Sequence, residues 1–231
     1  MKLPAKPPAA PAGAYRLSLD RLSLPPFAAP RAPRPWVVAL EGPNGVGKTT
    51  LCRKLARRLG VPSCLGTDPA WFSETFRTRM IRDAEWHASA MFFLSGCFEQ
   101  MRVLRSRPAR MVIMDRSLWS TLAVHAAGSP ARLAALLAML RPVSRRVRVP
   151  DLTIVLEASF ATCQSRIGAK TGTARTLDQL TATVVFHSRE RVFYRWLARR
   201  AKNVHFLDAD HATADEVAEA AVALVCKKSR C

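Results

Sequence analysis

A short apolar run, WVVAL (36–40), leads directly into LEGPNGVGKTT (40–50). The run is β-branched, continuous and followed by glycines, which predicts a strand buried on both faces. Residues 42–49 fit the pattern G-x-x-x-x-G-K-[ST], placed after a predicted strand and opening a predicted helix. That context separates a phosphate loop from a glycine-rich turn with an accidental lysine. Gly42, Gly45 and Gly47 let the backbone curl so that its N–H groups face a phosphate. The helix N-terminus adds its positive end. Lys48 is placed to reach β and γ oxygens, and the Thr49 hydroxyl to ligate Mg²⁺. The candidate ATP-binding residues are therefore Gly42, Pro43, Asn44, Gly45, Val46, Gly47, Lys48, Thr49 and Thr50.

The elements after the loop alternate. KTTLCRKLARRLG (48–60) sets Leu51, Leu55 and Leu59 on one face and stops at Gly60, as a helix does. A weak strand and loop (61–69) follow, then helices over 70–83 and 85–106, a strand over 110–115, and helices over 117–128 and 130–140. A strand over 152–157, a helix from 161, a long helix over 179–201, a strand over 203–209 and a helix over 213–228 complete the chain. Thr213 and Glu216 form a capping box before the last helix. Strands alternating with helices predict a parallel sheet covered on both faces, an α/β fold.

Residues 1–35 break the pattern. They are rich in Pro, Ala and Arg without helical or strand period, and read as a disordered tail. They lack the continuous apolar core of a secretory signal. The domain is thus expected to run from 36 to 231. No apolar run approaches the roughly 20 residues needed to span a bilayer. The six cysteines form no CxxC pair, no Cys/His group has zinc spacing, and a reducing, cytoplasmic setting is expected. The formal net charge is +19. Its arginines are spread along the chain, densest in RPVSRRVRVP (141–150), so either solvated faces or a polyanion partner accounts for them. Nucleic acid is an alternative partner here, not the favoured one.

Other candidates surround the loop. VIMDRS (112–117) ends a strand in Asp115, which can hold Mg²⁺. Arg116 beside it can clamp a second phosphate with its planar fork, or simply pair at the surface. TDP (67–69) places Asp68 either as an acceptor-side base or as a turn former. RIGAKTGTAR (166–175) spaces Arg166, Lys170 and Arg175 over a flexible, glycine-hinged loop and its approach, suited to closing over transferred oxygens; a solvated basic loop is the alternative. FLSGCFEQMRVLRSRPARMVIMD (93–115) has a superficial likeness to a transporter ATPase signature. The missing glutamate after Asp115 and the short distance from Lys48 count against it.

Taken together, LEGPNGVGKTTL, TDP, MFFLSGCFEQ, VIMDRSLWSTLAVH, PDLTIVLEASFATCQSRI, FHSRERVFYRWLA and NVHFLDADHATADEV resemble the thymidylate kinase and deoxynucleoside kinase superfamily, in family order over roughly residues 36–226. The resemblance implies a three-layer α/β/α sandwich with a five-stranded parallel sheet and a small lid, about residues 166–178. It implies ATP and Mg²⁺, and transfer of the γ-phosphoryl to a nucleoside monophosphate, dTMP in the closest branch, or to a nucleoside 5′-hydroxyl in the sister branch. It places Asp115 and Arg116 as the family's DR pair and Phe93 as the ring that stacks on the pyrimidine. Asp68 and Trp71 join Phe93 and Arg116 on the substrate side. A homodimer is a further implication. The chain departs from the pattern at Asn44, where the family usually has Asp, at Cys97, where it has Arg, and in its lid, where TLDQ replaces Asp-Arg-x-Glu.

Overall fold

The computed structural model describes residues 12–28, 35–66, 73–105, 108–169 and 183–229. Five parallel strands form its sheet: β1 (Trp36–Glu41), β2 (Ser63–Leu65), β3 (Met111–Asp115), β4 (Leu152–Glu157) and β5 (Val204–Asp208), in the order β2-β3-β1-β4-β5. β1 lies at the centre and pairs with β3 on one side and β4 on the other, with Leu40 opposite Asp115 and Glu41 opposite Val155. The chain runs from β1 outward past the position of β3, returns, and then crosses to β4. The C-terminal end of β1 is therefore a switch point, where α/β folds open a crevice for ligands.

Burial explains the apolar runs. Val38 and Leu40 of β1 face a cluster that includes Leu51, Cys52 and Leu55 of α2 (Lys48–Leu59) and Val217, Ala221 and Val225 of α9 (Ala214–Ser229). Val37 and Ala39 face the other side, against Met101 and Leu104 of α4 (Trp86–Arg105). On that side lie also α5 (Leu118–Gly128), α6 (Pro130–Leu140) and α8 (Val184–Ala198). α3 (Glu74–Arg82) precedes α4, a short 3-10 helix (Arg141–Arg146) follows α6, and α7 (Phe160–Gly168) follows β4. The layers are helix, sheet, helix, as expected.

Local signals hold at several ends. Gly60 takes a left-handed conformation (φ 62°), and its N–H reaches the Ala56 and Arg57 carbonyls to close α2. The Thr213 N–H donates to Glu216 at 2.7 Å, and the Glu216 N–H returns to the Thr213 hydroxyl at 3.3 Å.

One expectation is corrected. Residues 12–28 are not a tail without packed structure. α1 (Ala12–Asp20) buries Tyr15 and Leu19 in the cluster formed by α5, α6 and α8. The Tyr15 hydroxyl donates to the Ala126 carbonyl at 2.7 Å. Phe27 meets Trp119 edge-on at 5.5 Å. The prolines that argued against structure lie outside 12–20, a proline-free window in which Tyr15 and Leu19, four apart, share one helical face. The expected lid, about residues 166–178, falls largely on 170–178, outside the described residues.

Candidate active site

The phosphate loop leaves β1 at Glu41 and enters α2 at Lys48. Its glycines meet different demands. Gly42 (φ 126°) and Gly45 (φ 82°) combine positive φ with close packing. A Cβ at Gly42 would lie 2.5 Å from the Leu156 carbonyl oxygen, and one at Gly45 would lie 2.4 Å from that of Cys163. The loop is thus laid directly on the end of β4 and on α7. Gly47 (φ 109°) has open space around it and is required by conformation alone.

Lys48 is buried, and its ammonium donates to the carbonyls of Gly42 (2.7 Å) and Pro43 (2.6 Å). Burial pulls its pKa down, the like charge of Arg116 adds to this, and Asp115, Glu190 and Glu41 oppose it. The Thr49 hydroxyl donates to Asp115 Oδ2 at 2.5 Å. Asp115 Oδ1 is buried and has no hydrogen-bond partner among the described residues. Two hard oxygens, one of them unsatisfied, therefore stand beside the lysine.

Arg116 completes the arrangement. It is the non-glycine residue with positive φ (70°) among the described residues. Its guanidinium donates to Oδ1 of Asn44 in the loop. Burial works against its charge, and Asp115, Tyr194, Glu190 and Glu41 more than offset this, holding its pKa above the ordinary guanidinium value. The surrounding backbone fits tightly: Arg116 N–H donates to the Leu40 carbonyl (3.0 Å), and Gly66 N–H to that of Asp115 (2.9 Å).

Behind the loop lies a network that sequence reading missed. Glu41 is fully buried. It accepts from Ser117 (2.6 Å), from Ser120, and from Tyr194 (3.0 Å). Burial raises its pKa, and the donors from Ser117 and Ser120 pull it back. Glu41 so ties β1, the start of α5 and the middle of α8 into one unit. Ser117 also caps α5, accepting from Trp119 N–H at 3.2 Å. The available signal was an acid closing an otherwise apolar strand; its three donors come from positions 76 to 153 residues away. Glu190 of α8 was also missed. It is buried and shares a narrow cleft with Asn44, Phe160 and His187. Burial pushes its carboxyl up to about 7, against the pull of Lys48 and Arg116.

The remaining predicted residues are placed as follows. Arg166 stands in the last turn of α7, where its guanidinium donates to the Val46 carbonyl (3.1 Å) and the Ala209 carbonyl (2.9 Å). It braces the loop against the turn after β5, from the helix that sequence reading starts at 161. Phe93 is half-buried on α4, its ring edge-on to Phe92 at 5.0 Å. Cys97, one turn on, is buried, with its sulfur 3.8 Å from the Thr121 hydroxyl. Asp68, Trp71, Lys170 and Arg175 lie outside the described residues.

Comparison with known proteins decides among the phosphate-loop families. The thymidylate kinase family model matches residues 40–220. The chain belongs to the thymidylate kinase family. Two thymidylate kinases support the assignment. That of Thermomicrobium roseum is 32% identical over 176 residues, covering 71% of this chain and 82% of the relative. That of Leptospira borgpetersenii serovar Hardjo-bovis is 27% identical over 147 residues, covering 59% and 70%. Among solved structures, thymidylate kinase from Candida albicans aligns with a TM-score of 0.67 at 18% identity, over 86% of this chain and 94% of its own. Deoxyadenosine kinase from M. mycoides aligns at 0.62 and 14% identity, over 84% and 100%. As a thymidylate kinase family member, the chain is a nucleotide kinase. The family match starts within β1, so α1 and the segment after it lie outside it. Among the described residues, no helix is long and apolar enough to cross a membrane.

Proposed function

We propose that this kinase transfers the γ-phosphoryl group of ATP, with Mg²⁺, to a nucleoside monophosphate, and that dTMP is its acceptor. One observation carries the reading: the Arg116 guanidinium is held on Asn44 at the rim of the phosphate loop, next in sequence to Asp115. A fixed planar cation beside the donor site suits an acceptor that already carries a phosphate. The likeness to named thymidylate kinases supports dTMP.

The residues fit the donor. The buried, unpartnered Asp115 Oδ1 and the Thr49 hydroxyl are hard oxygen ligands of the kind Mg²⁺ takes. Loop N–H groups from Gly42 to Thr50 would hold the phosphates. When bound, MgATP supplies the transferable phosphoryl group and a metal charge that offsets the charge of the phosphate oxygens. Lys48 offers a desolvated cation, worth more in this setting than in water. Glu41 keeps the loop, Arg116 and α8 in register, so orientation is set before substrates arrive. Lys170 and Arg175 are proposed to add charge to the transferred group, while Arg166 fixes the loop beneath it.

A screen of MgATP against dTMP, dUMP, dCMP, dAMP and thymidine tests the reading. dTMP should be converted to dTDP. Lys48→Ala should lose at least 100-fold in kcat, on the order of the loss of one group acting on transition-state charge. Arg116→Ala should raise KM for dTMP. Phosphorylation of thymidine alone would replace this reading with a nucleoside kinase, and ATP binding without any acceptor would overturn it.

A further inference from the structure

Acids gather at the C-terminal end of the sheet: Glu41, Asp115, Glu157 and Asp208 each close a strand. The opposite end carries exposed cations, beside one acid with a buried side chain, Asp151, which pairs with Arg148 at 3.0 Å. Arg110 immediately precedes β3, Arg145 and Arg146 lead toward β4, and Lys202 precedes β5. All four are exposed, and none of their side chains has an ion-pair or hydrogen-bond partner among the described residues. The Asn203 side chain donates to the Pro150 and Asp151 carbonyls, which joins the lead-ins of β4 and β5 into one edge. Lys227 and Lys228 end α9 close to the same edge, near enough to His205 to lower its pKa, after burial as the main cause.

Helix dipoles account for Lys227 and Lys228, which end a long helix. They do not account for Arg110 or Lys202, which precede strands. From β3 to β5 the edge spans three strand spacings, about 14 Å, more than one nucleotide covers. Beside it opens a groove of about 250 Å³ between α4 and the 3-10 helix. Its apolar lining is Phe98, Met101, Val143 and Val147, with Arg146 and Arg148 among the lining residues. An aromatic-floored groove beside a row of unpartnered cations has the chemistry of a single-stranded nucleic-acid surface: a ring for a base, guanidinium and ammonium groups for successive phosphates.

We infer that this edge binds single-stranded nucleic acid, with a base in the Phe98 groove and the backbone along Arg110, Arg145, Arg146 and Lys202. The surface lies at the opposite end of the strands from the phosphate loop, so it works independently of the acceptor chosen there.

Fluorescence anisotropy of the full chain with a labelled 20-nucleotide single strand, between 50 and 300 mM KCl, tests it. Binding should saturate, and log K should fall linearly with log salt. Replacing Arg110, Arg145, Arg146 and Lys202 with Gln should flatten that slope by about 0.7 per residue. The same variant should melt no lower than wild type and keep its dTMP phosphorylation. Phe98→Leu, which keeps apolar volume and removes the stacking face, should weaken binding about tenfold with the slope unchanged. Replacing Arg53 and Arg79, exposed cations on α2 and α3, should change affinity less than twofold. The inference is overturned by absence of binding at 50 mM KCl, by equal losses in the two sets of cation variants, by duplex binding tighter than single strand, or by binding to phosphatidylglycerol vesicles without binding to the oligonucleotide.

Discussion

Glu190 is a buried acid on α8 that feels the charges of Lys48 and Arg116, with Glu41 as a further buried acid. Its pKa in the fold, about 7, lies above its ordinary value of 4.5. A raised pKa means that the folded state holds the proton more tightly than the unfolded chain. The stabilisation is complete below about 4.5 and is lost as pH rises through about 7. Glu190→Gln removes the titration. Thermal melts should show wild type and variant alike at pH 4.5 and the variant more stable at pH 8. A wild type as stable as the variant at pH 8 would show that Lys48 and Arg116 fully compensate the ionised carboxylate. Lys48, Thr49 and Asp115 were legible in sequence because their spacing is set within one loop and one strand end. Glu41 and Glu190 were not, because what makes them unusual is burial among partners that only the tertiary fold supplies.

Elements were legible where a local signal ends them. The capping box of α9 and the left-handed Gly60 after α2 mark boundaries within a residue or two of where the chain turns, whereas α8 begins at Val184 behind its Thr183 cap and ends at Ala198, inside the 179–201 span read from sequence. α1 was missed because composition was averaged over 35 residues. Its contribution can be measured. The Tyr15 hydroxyl satisfies the Ala126 carbonyl in a buried setting, and the Arg189 guanidinium lies 5.1 Å from the Tyr15 ring. Tyr15→Phe should cost about 1 kcal/mol, lowering Tm by about 2–4 °C in a chain of this size. Calorimetry that finds no change would mean that α1 rests on the core without being held by this bond. Leu19→Ala should cost more, about 2–4 kcal/mol, because it empties a fully buried site.

Across the whole molecule, a formal charge of +19 works against compaction. Exposed pairs such as Lys54 with Asp215 return little of this. Tm should therefore rise by several degrees as KCl goes from 20 to 300 mM, because the screening length falls below the spacing of most surface charges. A falling Tm would show that the surface pairs outweigh the repulsion. The parallel sheet and its three layers followed from the alternation of strand and helix patterns, whereas the strand order β2-β3-β1-β4-β5 came only with the fold. The gathering of exposed, unpartnered cations at one end of the sheet was not legible either, since a linear sequence shows how many charges there are and not which strand ends face together.

Arg116 carries a consequence for the history of such a chain. A left-handed backbone costs an arginine roughly 1–2 kcal/mol and a glycine almost nothing. A drift to glycine at this turn would be rewarded by any selection for a hardier fold, yet it would delete the guanidinium that rests on Asn44. Durability and chemistry thus compete at a single codon. Directed evolution of this enzyme toward heat resistance, if screened on folding alone, has a short path to a sturdy protein that has lost the cation we propose for the acceptor.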